Sequence, residues 1–321
     1  MNNITKNQNI KTIYFGGGCF WGTQSAFKLL SGVVDTQVGY ANGNTSKTQY
    51  QNLSQTNHAE VVKIEYNKNI IRLSELILRY FSIINPFTLN NQGNDFGTQY
   101  RTGIYYQDDE DLKIIDRSMK IMKKIYNRKI FVEVEKIKNY VTAEAYHQNY
   151  LDKNPFGYCH INPNDILEPL WDDKDFQKIR KEDLKNILDE ESYAVMKENK
   201  TELPFTSKFN NNEEQGIYVD KISGEPLFSS SDKFDAGCGW PSFTRPITTD
   251  LLKENSDYSH NMIRTEVRTK ISDSHLGHVF DDGITAKGGL RYCINGVALK
   301  FIPLDEMEES GYLKFIPFVY D

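Results

Sequence analysis

Three glycines in a row, Gly16, Gly17 and Gly18, end a short apolar run and deliver the chain to Cys19, Phe20, Trp21 and Gly22. No other stretch constrains the fold so tightly. Thr12-Ile13-Tyr14-Phe15 predicts a buried strand, and Gly22–Leu30 predicts a helix closed by Gly32. A strand that turns straight into a helix sets one thiol at the helix's first turn, where unpaired N–H groups and the helix dipole favour a thiolate. The glycines leave the backbone bare beside the sulfur, so that a substrate can approach. The flanking Phe20 and Trp21 supply apolar walls. A plain cysteine packed in a strand–helix corner is the commoner arrangement, but the residues on either side argue for a nucleophile. A dinucleotide loop fails on spacing: G-x-G-x-x-G from Gly16 needs a sixth-position glycine, and Trp21 stands there.

The elements that follow alternate. Val33–Tyr40 predicts a strand leading into the turn Ala41-Asn42-Gly43, and His58–Tyr66 predicts another, with Val62, Ile64 and Tyr66 in alternation. Ser74 is placed to cap a helix whose apolar face is Leu73, Leu76, Ile77, Tyr80, Phe81 and Ile84. Thr102–Tyr106 predicts a strand. Asp108 is placed to cap a long helix with the face Leu112, Ile115, Met119, Met122 and Tyr126. Ile130, Val132 and Val134 alternate in a last strand. The order β-α-β-β-α-β, followed by α-β, fits a split βαβ plan of the ferredoxin-like kind. Residues 163–205 are densely charged, with Phe176, Ile179, Leu184, Ile187 and Leu188 at helical spacing, and predict a linker followed by helices that stop at Pro204. Beyond 215, short runs (Gly216–Val219, Pro226–Phe228, Val297–Phe301, Tyr312–Val319) are broken by Gly, Pro, Ser and Asp, which predicts an antiparallel β-rich domain. The fold class is therefore α+β. No internal repeat relates the halves.

A length of 321 residues fits two domains of ordinary size. Net charge is −6 with no basic block, which argues against nucleic acid as a partner. The opening MNNITKNQNIKT lacks the pattern of a cleaved leader, and no run approaches the about 18 apolar residues of a membrane span. The expectation is a soluble cytoplasmic monomer that needs no membrane. Four cysteines are too few for a disulfide scaffold.

For Cys19 to attack an oxidised sulfur it needs a proton donor, hydrogen bonds to polarise the departing oxygen, and a way to clear the oxidised product. Glu60 opens the strand after His58, and partial burial would raise its pKa enough to supply a proton. An ordinary strand carboxylate is the alternative. Tyr40, Asp95 and Tyr100 lie in the polar, glycine-rich segments VGYANG and QGNDFGTQYRTG, where function often resides; core tyrosines with satisfied hydroxyls are the alternative. Cys159, in GYCHIN, sits on what reads as a mobile tail that could swing in to form a disulfide with Cys19. A lone surface thiol is the other reading. The motifs GGGCFWG, VGYANG, HAEVV, GNDFGTQYRTGIYY and NPFGYCHIN, in this order, resemble an A-type methionine sulfoxide reductase over about residues 10–162. The resemblance implies Cys19 as nucleophile and Glu60 as acid. It implies that Tyr40 and Tyr100 bind the oxygen, that Asp95 supports the site, and that Phe20 and Trp21 hold the methyl group. Cys159 would be the resolving thiol. The chain departs from the family pattern at Asn57, where glycine is common, and at Asn85, where His or Asp is common.

In the second half, Cys293 lies in Arg291-Tyr292-Cys293-Ile294-Asn295, where Arg291 would lower its pKa. His275 and His278 form an H-x-x-H pair in SHLGHVFDDG, and Cys238 stands beside Trp240 in GCGWPSF. Two His and two Cys admit a zinc reading, weakened because neither cysteine belongs to a C-x-x-C pair. They equally admit a redox reading, with Cys293 attacking, a histidine giving the proton and Cys238 resolving. SGEPLFSSSDKFDAGCGWPSF, VRTKISDSHLGHVFDDG and GGLRYCIN resemble a B-type methionine sulfoxide reductase over about 180–321. That resemblance implies Cys293 as nucleophile and Cys238 as resolving thiol. It implies that His275, His278, Asp282, Arg291 and Asn295 bind or protonate the oxygen, His278 being the expected acid, and that Trp240 cradles the methyl group. Lacking the paired C-x-x-C motifs, the chain resembles the metal-free class. Gly296-Val297 stands where Ser-Ala is usual. The expected layout is 1–162 A-type, 163–179 linker and 180–321 B-type. The two resemblances together imply reduction of both sulfoxide epimers, S by the first domain and R by the second. Thioredoxin or a similar dithiol would recycle both sites, the substrate would be free or protein-bound methionine sulfoxide, and no cofactor or metal would be bound.

Overall fold

The apolar run before Cys19 extends, in a computed structural model of the chain, into strand β1 (Ile10–Gly17). The structure describes residues 9–171, 182–259 and 262–321. The chain divides into two compact units, Met1–Glu168 and Pro169–Asp321.

In the first unit β1 is followed by α1 (Phe20–Phe27), β2 (Val33–Ala41), β3 (Ala59–Asn67), α2 (Leu73–Ile83), β4 (Thr102–Tyr106), α3 (Asp109–Tyr126), β5 (Glu133–Lys136) and β6 (Val141–Thr142). The sheet order is β5-β4-β1-β3-β2-β6. β1 runs antiparallel to both β3 and β4, and β2 is antiparallel to β3. β1 and β2, joined through α1, are therefore parallel with β3 between them. The helices cover the sheet through the apolar stripes their spacing foretold. Phe15 of β1 stacks on Phe27 of α1 at 4.9 Å and on Tyr80 of α2 at 4.8 Å, while Ile115, Met119 and Met122 of α3 join the same core. The helix ends differ from expectation. α1 starts at Phe20 and stops at Phe27, so Cys19 is its N-cap residue. α2 begins at Leu73, putting Ser74 inside its first turn rather than at the cap. Asp108 is the N-cap residue of α3 but its side chain makes no capping bond; Asp109, Glu110 and Asp111 in the first turn meet the dipole instead.

In the second unit α4 (Glu190–Glu198) is capped by the Asp189 carboxylate accepting from Ser192 N–H. The strands follow: β7 (Gly216–Asp220), β8 (Pro226–Ser229), β9 (Lys233–Phe234), β10 (Ser242–Phe243), β11 (Leu252–Asp257), β12 (Arg264–Thr269), β13 (His275–Phe280), β14 (Arg291–Ile294) and β15 (Leu299–Pro303). They make a three-stranded sheet, β8-β7-β15, and a six-stranded sheet, β9-β10-β14-β13-β12-β11, in which every described pairing is antiparallel. Tyr218, Phe228, Phe243, Leu276, Ile294 and Leu299 from both sheets share one core, with Phe228 stacked on Phe243 at 4.4 Å.

Two expectations change. Tyr312–Val319 is not a strand: Leu313–Val319 forms a 3-10 helix that buries Phe315 and Phe318. Ile187, expected on an apolar helix face, is half exposed in the short helix Leu184–Ile187, whereas Leu184 and Leu188 are buried. Phe176 and Ile179 lie outside the described residues, as does the 172–179 part of the expected linker. Residues 163–168 group with the first unit, and Ile166 enters its core. Among the described residues no helix is long and apolar enough to cross a membrane.

Candidate active sites

Cys19 sits where β1 hands over to α1. The preceding Gly18 has φ +79°, and a Cβ there would meet the Gln92 Cβ at 2.5 Å, so conformation and space both demand glycine. Burial is the largest influence on the Cys19 thiol and pushes its pKa well above the usual range; the neighbouring carboxyls of Glu60 and Asp95 push the same way. The helix terminus does not outweigh them. In the resting site Cys19 is a protonated thiol, contrary to the thiolate expected from its helix position.

Glu60 is almost fully buried and its Oε2 accepts the Phe20 N–H at 3.1 Å. Burial raises its pKa to about 8, with Asp95 adding to the effect and the Phe20 N–H opposing it. A protonated carboxyl thus stands beside the sulfur at neutral pH, as a proton donor should. Tyr40 lies directly across from Glu60 in the β2–β3 register, and its hydroxyl donates to Glu144 Oε2 at 2.6 Å. Tyr100 closes a short 3-10 turn (Thr98–Tyr100), and its hydroxyl hydrogen-bonds with that of Tyr50. Burial pushes both of these phenols up, which keeps them neutral donors. The Phe20 ring packs 5.8 Å from Tyr40. Trp21 stacks on Tyr150 at 3.7 Å and donates from Nε1 to His147 Nδ1 at 3.1 Å.

The segment carrying Cys159 is docked onto this site rather than held away from it. A Cβ on Gly22, in the first turn of α1, would stand 2.4 Å from the Cys159 Sγ. The Tyr158 hydroxyl donates to Asp95 Oδ2 at 3.5 Å, and His160 Nδ1 lies 3.3 Å from the same oxygen. Asp95 therefore fastens the segment bearing Cys159 as well as facing Cys19. Sequence reasoning passed over Tyr50, Glu144, His147, Tyr150 and His160. The last four lie in a stretch rich in Tyr and His (TAEAYHQNY to GYCHIN), and that clustering was the available signal.

In the second unit Cys293 on β14 faces His278 on β13 and Ser242 on β10 in register. The Cys238 Sγ lies 3.5 Å from the Cys293 Sγ and 3.3 Å from the Ser242 Oγ. Burial first, then the adjacent sulfur, pushes the Cys293 thiol up to about 12; Arg291 and Ser242 pull the other way and lose. The expected lowering by Arg291 is thus overridden by desolvation. Cys238 is held below its ordinary value despite burial, by hydrogen bonds from Ser242, the Trp240 backbone and Cys293. The pair gives up one proton readily and the second with difficulty, because two charges cannot sit so close.

His275 and His278 are three apart on a strand and would ordinarily face opposite sides. A bulge at Leu276 between the pairs Val267–Gly277 and Arg268–His275 breaks the alternation and brings the rings to 5.6 Å. His275 Nδ1 pairs with Glu266 at 2.7 Å and His278 Nε2 with Asp257 at 2.8 Å. These carboxylates, which fix each ring's orientation, were not singled out from sequence. Arg291 binds both oxygens of Asp282 at 2.8 Å and lies 4.4 Å over the Phe280 ring. Cys238, Asp282 and Arg291 share the wall of an open cavity of about 430 Å³. Trp240 donates from Nε1 to the Glu202 carbonyl at 3.2 Å. Asn295 is placed differently from expectation. Its buried amide accepts from Glu202 N–H and donates to the Leu276 carbonyl, so it braces the backbone around the site and is not directed at a ligand.

Each unit thus pairs a cysteine, buried in the first and half-buried in the second, with a second thiol close by and hydrogen-bonding side chains around it, which defines a thiol-based oxidoreductase with two centres. Residues 11–179 match the family model described as peptide methionine sulfoxide reductase, and residues 188–303 match the SelR domain. The chain belongs to the peptide methionine sulfoxide reductase family, as an A-type domain followed by a B-type domain. Its two domains carry peptide-methionine (S)-S-oxide and (R)-S-oxide reductase activities respectively. Among solved structures, Mxr1 of Saccharomyces cerevisiae in reduced form is 42% identical over 48% of this chain and 90% of its own, with a TM-score of 0.46. Methionine sulfoxide reductase A of Corynebacterium diphtheriae is 32% identical over 49% and 80%, with a TM-score of 0.43. Mxr1 in complex with Trx2 is 30% identical over 45% and 86%, with a TM-score of 0.34.

Two departures from the family pattern have local explanations. Asn57 has φ +55°, a conformation that asparagine tolerates almost as glycine does. A Cβ on Gly296 would fall 1.8 Å from the Ser207 Oγ, so the room a serine would need there is already filled.

Proposed function

We propose that each unit reduces one epimer of methionine sulfoxide by the same three steps. In the first unit Cys19 attacks the sulfoxide sulfur while Glu60 protonates the oxygen. Tyr40 and Tyr100 turn their hydroxyls from Glu144 and Tyr50 to donate hydrogen bonds to that oxygen, and Phe20 and Trp21 enclose the methyl group. A sulfur–sulfur bond forms transiently; the protonated oxygen then passes to the Cys19 sulfur as the substrate's sulfur–oxygen bond and the sulfur–sulfur bond break, leaving a sulfenic acid and methionine, and the thiol's proton restores Glu60. The Cys159 thiol then displaces water to give a disulfide. In the second unit Cys293 attacks and Cys238 resolves. His278 and His275, oriented by Asp257 and Glu266, and Arg291, held by Asp282, surround the oxygen, with Trp240 beside the methyl group. A dithiol such as thioredoxin reduces each disulfide by exchange, so no bound metal or cofactor is needed. The strand order of the first unit supports reading it as a split βαβ, ferredoxin-like plan. We read the chain as a cytoplasmic monomer acting on free or protein-bound methionine sulfoxide.

The observation that carries this reading is the placement of a second thiol at each nucleophile, 3.5 Å away in one unit and against the first turn of α1 in the other. Cys159→Ser and Cys238→Ser should each leave one stoichiometric turnover of the corresponding epimer intact in rapid quench. Each should cut thioredoxin-coupled turnover of that epimer by about 100-fold or more. Unchanged steady-state rates would show that these thiols do not resolve the intermediates.

A further inference from the structure

A bulky residue in the left-handed region is a conformational outlier, and such strain concentrates at functional sites. Phe205 has φ +67°. It also leaves 72% of its surface in water, and Leu203 two residues earlier leaves 70%. What holds it is the second active site. Phe205 N–H donates to the Gly239 carbonyl at 2.7 Å, one residue beyond Cys238, and the same carbonyl accepts from Asn210 Nδ2 at 3.0 Å. Glu202 is tied to Trp240 through its carbonyl and to Asn295 through its N–H, and its carboxylate accepts from Gly296 and Val297 N–H just beyond Cys293. The Phe205 ring lies over Gly239, whose φ of +93° and missing side chain leave it room: a Cβ there would come within 3.1 Å of the ring. Residues 203–207, Leu-Pro-Phe-Thr-Ser, carry no charge. An uncharged ledge, anchored at both ends to the loops that carry the two thiols, therefore faces solvent beside Trp240.

We propose that Leu203 and Phe205 form the platform of the second active site that receives apolar side chains flanking an oxidised methionine. Such flanking side chains exist only in a polypeptide substrate, so these two residues set how much this unit gains from an apolar stretch around the oxidised methionine. This rests on Cys293 being the nucleophile of that site.

The test uses the full chain and two substrates, free methionine (R)-sulfoxide and a short unstructured peptide with one methionine (R)-sulfoxide between leucines. In Phe205→Gly, which suits the left-handed conformation and keeps the loop folded, the ratio of kcat/KM for peptide to that for free amino acid should fall about tenfold, mainly through KM. Phe205→Tyr keeps the ring and should retain the ratio, and Leu203→Ser should lower it two- to threefold. An unchanged ratio in Phe205→Gly, or an equal fall in Phe205→Tyr, would overturn the platform while leaving the nucleophile assignment standing. A wild-type chain inactive on both substrates would overturn that assignment and the platform with it.

Discussion

Replacing Cys19 by serine is expected to abolish reduction of the S epimer, by at least about 10³-fold, while the R epimer is consumed at the wild-type rate. Cys293→Ser should do the reverse. The expectation follows from each centre being built from the residues of its own unit. Cys19 is surrounded by groups of the first unit alone, Glu60, Asp95 and Cys159. Cys293 is surrounded by groups of the second, Cys238, Arg291 and Ser242. A hydroxyl is too weak a nucleophile to form the sulfur–sulfur bond, and neither site holds a substitute thiol that could attack in its place without losing the resolving partner. A stereospecific assay on each epimer decides the matter. Loss of both activities from either change would mean that the sites act as one.

Glu60→Gln is the second large effect. Loss of a positioned general acid costs about 10²- to 10⁴-fold, and here only the S epimer should be affected. The pH dependence carries a sign. With its pKa raised to about 8 by burial, Glu60 holds its proton through neutrality and gives it up above. S-epimer reduction by the wild-type chain should therefore decline as pH rises through about 8, and in Glu60→Gln that limb should vanish. The same burial acts on stability. The folded carboxyl binds its proton more tightly than the unfolded one, so its contribution is fully present below pH ~4.5 and is lost as pH rises towards 8. At pH 7 the glutamine variant should be more stable than the wild type by roughly 1–3 kcal/mol, readable in denaturant unfolding of the first unit. A less active but more stable variant is the signature of a buried acid kept for chemistry.

Both centres were legible in the sequence because glycines, aromatics and thiols stand together in short motifs. GGGCFW announces a bare turn with a nucleophile, and GCGWPSF with GGLRYCIN holds both sulfurs of the second site. Strand and helix positions in the first unit followed from apolar periodicity, since its sheet and helices pack one face each. What local patterns could not show was desolvation. The helix terminus at Cys19 and the cation at Arg291 both predict lowered thiol pKa values, and burial reverses both. Spacing also misled where backbone geometry is irregular. The bulge at Leu276 puts His275 and His278 on one side, and Asn295, beside the nucleophile in sequence, turns its amide into the backbone. The segment bearing Cys159 read as a free tail because its fastenings to Asp95 and Gly22 come from far along the chain.

The most direct measurement is to place the abstracted oxygen. A Cys159→Ser, Cys238→Ser double variant, mixed with racemic methionine sulfoxide without reductant, is trapped with a sulfenic-acid reagent and mapped by mass spectrometry. Two adducts per chain, at Cys19 and Cys293, with one methionine formed from each epimer, is the predicted result. A single adduct, or consumption of one epimer only, would contradict two independent oxygen-accepting thiols.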